Sequence, residues 1–156
     1  MLIKHNLEGH AGYGEKEIMT TAQENKRLIL DFANKVFIRH ELDGLEKFIR
    51  DDYIQHNTDC SQGRDGFIEF FTTIFSAVPD FSYTIKQIVA DDDFVWMYSR
   101  TTGTHTGAPW LGAPPDGSRL DFDVVDMFRI KDGKIAEHWD VADTYTFFKQ
   151  LGRNDG

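Results

Sequence analysis

Residues 121–143 are DFDVVDMFRIKDGKIAEHWDVAD, two alternating runs on which the rest of the chain is organised. Two β-like runs flank Lys131-Asp132-Gly133, a combination that favours a tight turn between paired strands. In the first run Phe122, Val124, Phe128 and Ile130 recur at every second position and share one face. Asp126 falls on that same face. A carboxylate in such company needs a partner or a proton, because an isolated buried charge is costly. In the second run His138 and Asp140 are two residues apart and share a face of a pleated strand.

Two registers fit the turn. A two-residue turn at Asp132-Gly133 pairs Lys131 with Lys134 and sets Asp126 against Trp139. A three-residue turn closing on a glycine bulge pairs Ile130 with Lys134, Asp126 with His138 and Val124 with Asp140. One residue of slip sends every second-strand side chain to the other face. The hydrophobic pattern alone leans to the two-residue turn, which would gather Ile135, Trp139 and Val141 on the Phe122/Val124 face.

Charge and composition narrow the function classes. The 156 residues fit one domain with a real core, and 13 Phe among 40% hydrophobic residues give it an aromatic interior. A net charge of −9 argues against a nucleic-acid groove and against an anionic membrane surface. Cys60 is alone, which rules out an internal disulfide and any cysteine metal motif and fits a reducing, cytoplasmic location. No apolar run approaches the roughly 20 residues of a membrane span, and the N-terminus lacks a signal-peptide core. Six His invite a metal centre, yet no HxH or HxxxH pair places two ligands side by side. Nucleophile-elbow, phosphate-loop and dinucleotide-binding motifs are missing as well.

Around the hairpin, residues 1–20 carry no sustained period and read as a loose extension, leaving 21–156 as one domain. From Thr21, Ile29, Phe32, Ala33, Val36, Phe37 and His40 form a helical stripe, with His40 a packing residue at its end. Asp43 is placed to cap a short second helix. Tyr53-Ile54-Gln55-His56-Asn57 is a short strand entering a polar loop, with His56 a candidate to project into a pocket. A third helix over Arg64–Ala77 sets Phe67, Phe70, Phe71, Ile74 and Val78 on one side, and Pro79 stops it. Phe81, Tyr83, Ile85 and Val89 then alternate along a strand. A long strand over Phe94–Thr106 puts Val95, Met97, Ser99, Thr101 and His105 on one face. The Pro/Gly loop Gly107–Arg119 carries Trp110 and Leu111 at an apolar tip suited to a lid. Helices ahead of a largely antiparallel sheet indicate α+β, and a strongly bent sheet over the long helix gives a cone with one apolar cavity.

YIQHN, the third helix, GTHTG, the Pro-rich loop and VDMFRIKDGKIAEHWDVAD together resemble the SnoaL-like polyketide cyclases, a branch of the nuclear-transport-factor-2-like cone fold. The resemblance covers roughly Gln23 to Gly152. It implies ring closure by intramolecular aldol condensation without metal or organic cofactor, on a hydrophobic small molecule. It also favours the three-residue turn, which is therefore the expected register. In those cyclases an Asp two residues after a His serves as acid/base, which carries over to His138 and Asp140. A further His on the preceding strand is replaced here by Asp126. The expected catalytic set is therefore Asp140, His138 and Asp126, with His56, His105, Tyr53, Trp110, Phe122 and Phe128 as substrate-binding residues. A lyase or isomerase acting on a carbonyl compound by the same acid/base groups is included in this expectation. The alternative is a non-catalytic pocket for a hydrophobic molecule, with Asp126 salt-bridged to His138 for structure alone. Val125, Met127, Trp139 and Val141 fall away from the pocket, an apolar set pointing to a homodimer.

Overall fold

The computed structural model describes residues 19–153; the expected loose extension lies almost wholly outside the described residues. Helix α1 (Thr21–Ala33) starts at a reciprocal cap: Thr20 Oγ1 accepts from the Gln23 N–H (3.3 Å), and Gln23 Oε1 accepts from the Thr20 N–H (2.7 Å). The helix runs into a π-turn at Asn34–Ile38. That wider turn keeps Val36 and Phe37 buried on the stripe begun by Ile29, Phe32 and Ala33. His40 ends it with φ 56°, its ring stacked 4.1 Å from Phe75 and Nε2 3.0 Å from the Phe81 carbonyl oxygen.

The short second helix is a single 3₁₀ turn, Leu45–Lys47, and Asp43 does not cap it. Gly44, in the left-handed region, holds the cap position, while Asp43 pairs with Lys35 at 3.0 Å. Then follow β1 (Ile49–Gln55), α2 (Gly63–Ala77), β2 (Ser82–Ala90), β3 (Phe94–Thr104), β4 (Arg119–Lys131), β5 (Lys134–Ala142) and α3 (Thr144–Gln150). The five strands form one curled sheet in the order β1-β5-β4-β3-β2, antiparallel except where β1 joins β5 in parallel. The fold is α+β, as expected. Phe32 and Phe37 of the first helical stretch and Phe67 of α2 pack against Val95, Met97, Phe128, Ile130 and Ile135 on the concave face.

Two bulges set which side chains reach that face. In β2, Ile85 pairs with Ser99 but Gln87 pairs with Tyr98, so Lys86 is an extra residue. The strict alternation expected there fails after it: Ile88 turns inward and Val89 is 63% exposed. The second bulge corrects the hairpin register. The turn has two residues, with Asp132 at φ 52° and Gly133 at φ 69°, and Lys131 pairs with Lys134, not Ile130. Ile130 pairs with Ile135 and Arg129 with Glu137, leaving Ala136 as the extra residue. Past it, Asp126 lies opposite Asp140 and Phe128 opposite His138. The bulge reconciles the two hydrophobic requirements: Ile135 and His138, of opposite parity, both face inward at 1% and 4% exposure.

Candidate active site

Beyond the packed centre the concave face opens into a cavity of about 680 Å3. Its wall is largely aromatic: Phe37, Phe70, Phe71, Phe81, Tyr83, Trp110, Phe122, Phe147 and Phe148 all line it, with Asp126, His138 and Asp140 on the sheet side. The three expected catalytic side chains thus share one cavity. Their parity is the one expected; their pairing is shifted by two residues because a bulge, not a longer turn, supplies it.

Asp126 and Asp140 are direct cross-strand neighbours in unlike settings. Asp126, 5% exposed, has both oxygens engaged: Oδ1 accepts from His138 Nε2 at 2.9 Å, and Oδ2 accepts from the Tyr83 hydroxyl. Burial, then the adjacent Asp126 charge, pushes the Tyr83 phenol well above its ordinary range, so the hydroxyl stays a donor. Asp140 is half-buried, and one described hydrogen bond reaches it: Asn57 Nδ2 donates to Oδ2 at 2.8 Å. Burial raises the Asp140 carboxyl above the usual value, against the hydrogen bond that Asn57 donates. Asp140 is therefore the carboxyl that is open to a ligand and biased towards holding a proton.

His138 lies flat against Phe128, ring centroids 4.7 Å apart, and its Nδ1 is 3.1 Å from Gln55 Nε2. Gln55 also donates to the Tyr53 hydroxyl at 2.9 Å. Tyr53, whose phenol burial pushes upward, and Phe128 therefore stand behind the site and do not line it. Phe128 fills the core beneath His138, where its ring meets Phe32.

Two expected binding residues lie elsewhere. His56 is of opposite parity to Gln55 and sits on the convex face, stacked on Trp139 at 4.1 Å with Nε2 2.8 Å from Glu137. His105 is fully buried outside the cavity lining. Its Nε2 meets the Ala108 carbonyl at 2.9 Å, and its backbone pairs with Gly117 and Ser118, so it braces the Pro/Gly loop. Trp110 and Leu111 do reach the cavity; Trp110 packs 5.0 Å from Phe147, and Arg153 donates to the Leu111 carbonyl. Sequence reasoning missed Gln55, Asn57 and Tyr83. Period-two parity through Tyr53, Gln55 and Asn57 was the available signal for the first two.

A curled sheet closing over helices, with ionisable groups facing an aromatic cavity, defines an α+β small-molecule-site architecture. The chain belongs to the SnoaL-like polyketide cyclase family, whose profile matches residues 27–151. It is 26% identical over 110 residues to the aklanonic acid methyl ester cyclase DauD of Streptomyces sp. (strain C5), covering 69% of this chain and 66% of DauD, just under two thirds. Similar identity, 26% over 117 residues, links it to the aklanonic acid methyl ester cyclase DnrD of Streptomyces peucetius, covering 70% of this chain and 79% of DnrD. The structure of TsrD from Streptomyces laurentii superposes with a TM-score of 0.74 at 26% identity, over 83% of this chain and 95% of TsrD. Among the described residues no group of three His, Cys, Asp or Glu could hold a metal ion, and no helix is long and apolar enough to cross a membrane.

Proposed function

We propose that the protein closes a ring in a carbonyl-bearing polyketide by intramolecular aldol chemistry, using side chains alone, with Asp140 as the acid/base group. The observation that carries this reading is the Asp126/Asp140 pair: one carboxylate saturated by donors, its neighbour open to the cavity with its pKa raised by burial. Asp140 takes the proton from a carbon flanked by two carbonyl groups. The enolate carbon then attacks a second carbonyl carbon of the same molecule, forming the C–C bond as that C=O becomes an alkoxide. The proton passes from Asp140 to the alkoxide, so closure conserves every atom. The aromatic wall holds the flat substrate folded and excludes water. The cyclase names of DauD and DnrD support the substrate class.

We also infer a homodimer through the convex face. Val89, Trp96 and Val141 are 63%, 48% and 73% exposed there, an apolar set that a second copy would cover. Sedimentation at micromolar concentration reads this directly; a monomer contradicts it.

The test of the reaction is Asp140→Asn assayed on cyclisable polyketide methyl esters. Turnover falls by about 10²–10⁴-fold while ligand affinity is kept. Unchanged turnover removes Asp140 from the chemistry, and wild-type binding without any turnover favours a binding pocket.

A further inference from the structure

Two side-chain amides stand between the backbone and the ionisable groups of the cavity, and each is oriented by a donor that cannot reverse. The Asn57 backbone N–H donates to Gln55 Oε1 at 3.0 Å, so Oε1 is fixed as the oxygen and Nε2 must face His138. With Nε2 donating at 3.1 Å, His138 Nδ1 is the acceptor and carries no proton. The ring proton is then on Nε2, pointing at Asp126 Oδ1. The second amide repeats the logic. The Asp59 backbone N–H donates to Asn57 Oδ1 at 2.8 Å, which turns Nδ2 towards Asp140 Oδ2. Oδ2 is thereby an acceptor, and Oδ1 is the Asp140 oxygen that no described hydrogen bond engages.

We propose that Gln55 and Asn57 are positioning residues that divide the proton chemistry of the cavity. Gln55 locks His138 into the Nε2–H tautomer that serves Asp126, and Asn57 leaves Oδ1 of Asp140 as the oxygen that gives and takes protons. His138 has both ring nitrogens committed, so it orients Asp126 and does not shuttle. The tautomer follows from hydrogen bonds within the free protein and stands whatever the substrate is; the role of Oδ1 rests on the proposed reaction. The groups facing this network are Tyr53 of β1, Cys60 after it, Tyr83 of β2 and Asp126 of β4, with Asp59, Glu69 and Arg153 also lining the cavity. Burial holds the Cys60 thiol above its usual value, so it adds no charge at neutral pH.

The test is long-range 1H–15N correlation of the His138 ring in the free, uniformly labelled protein. Wild type shows Nε2 protonated and Nδ1 bare. In Gln55→Glu, of equal size, a carboxylate replaces the amide donor and both ring nitrogens become protonated. A wild-type spectrum with Nδ1 protonated overturns the proposal, as does a bare Nδ1 in folded Gln55→Glu. If Gln55→Glu fails to fold, the wild-type spectrum decides alone. For the second amide, Asn57→Ala removes the donor on Oδ2, so the Asp140 carboxyl titrates at higher pH by 13C NMR. A titration that stays in place or moves down contradicts the part assigned to Asn57. These readouts need no substrate, so their failure is distinct from failure of the cyclase reading.

Discussion

The two halves of the β4–β5 hairpin are built from one alternating pattern and put to different ends. In the turn half, Phe128, Ile130 and Ile135 are 1–6% exposed and packed on the helices. In the open half, from Asp126 back along β4 and from His138 onward along β5, the inward positions hold Val124, Asp126, His138, Asp140 and Ala142, all against the cavity. A site of this kind is a core with one side left unfilled. Polar groups enter where packing stops, and Asp140, the least buried of the three, has one oxygen that no hydrogen bond among the described residues engages.

Substitutions sharpen that contrast. Phe128→Ala, in the dry half, removes the ring that supports both Phe32 and His138. It costs about 3–5 kcal/mol of stability in denaturant unfolding. A loss well under 1 kcal/mol would show that the turn half is not the anchor. Asp126→Asn at the boundary offers one acceptor where Tyr83 and His138 need two. One donor is orphaned, at about 1–3 kcal/mol by the same assay, and a neutral result would break the claim that Asp126 is saturated.

Trp110→Ala, at the mouth, weakens binding of an aromatic ligand about tenfold in calorimetric titration, roughly 1.4 kcal/mol. Unchanged affinity would separate the loop tip from the cavity's work. The smallest effect is on stability versus pH. Burial raises the folded-state pKa of Asp140, so the folded protein binds more protons than the unfolded chain between the ordinary and the raised value. Asp140 therefore stabilises the fold below its ordinary pKa, and that contribution is lost as pH rises through the folded value. Asp140→Asn escapes this loss. It melts slightly higher than wild type at neutral pH, and the gap closes on acidification; a variant less stable at neutral pH would reverse the sign.

The fold was legible because periodicity reports faces. The helical stripe through Ile29 and Phe37, the aromatic side of α2 and the alternation in 122–130 each gave the buried side correctly. The two-residue turn was legible in the hydrophobic pattern, but the register beyond it was not, because a bulge adds a residue with no composition signal of its own: Ala136 and Lys86 look like any strand residue. The site was half legible. Asp126, His138, Asp140, Phe122 and Trp110 reach the cavity, whereas His56 was favoured for its chemistry over Gln55 and Asn57, although parity puts it on the other face. Tyr83 was hidden because a phenol in an apolar strand reads as core until the carboxylate beneath it is seen.

The proposed chemistry turns on Asp140 as a cavity carboxyl that burial holds protonated to higher pH than an ordinary aspartate. Its side-chain 13C resonance, followed through a pH titration of the wild-type protein with and without a bound aromatic ligand, tests this directly. The predicted result is a midpoint above the ordinary aspartate range in the free protein, moving further upward when the ligand displaces water from Oδ1. A midpoint at or below the ordinary range, unmoved by ligand, would contradict the account.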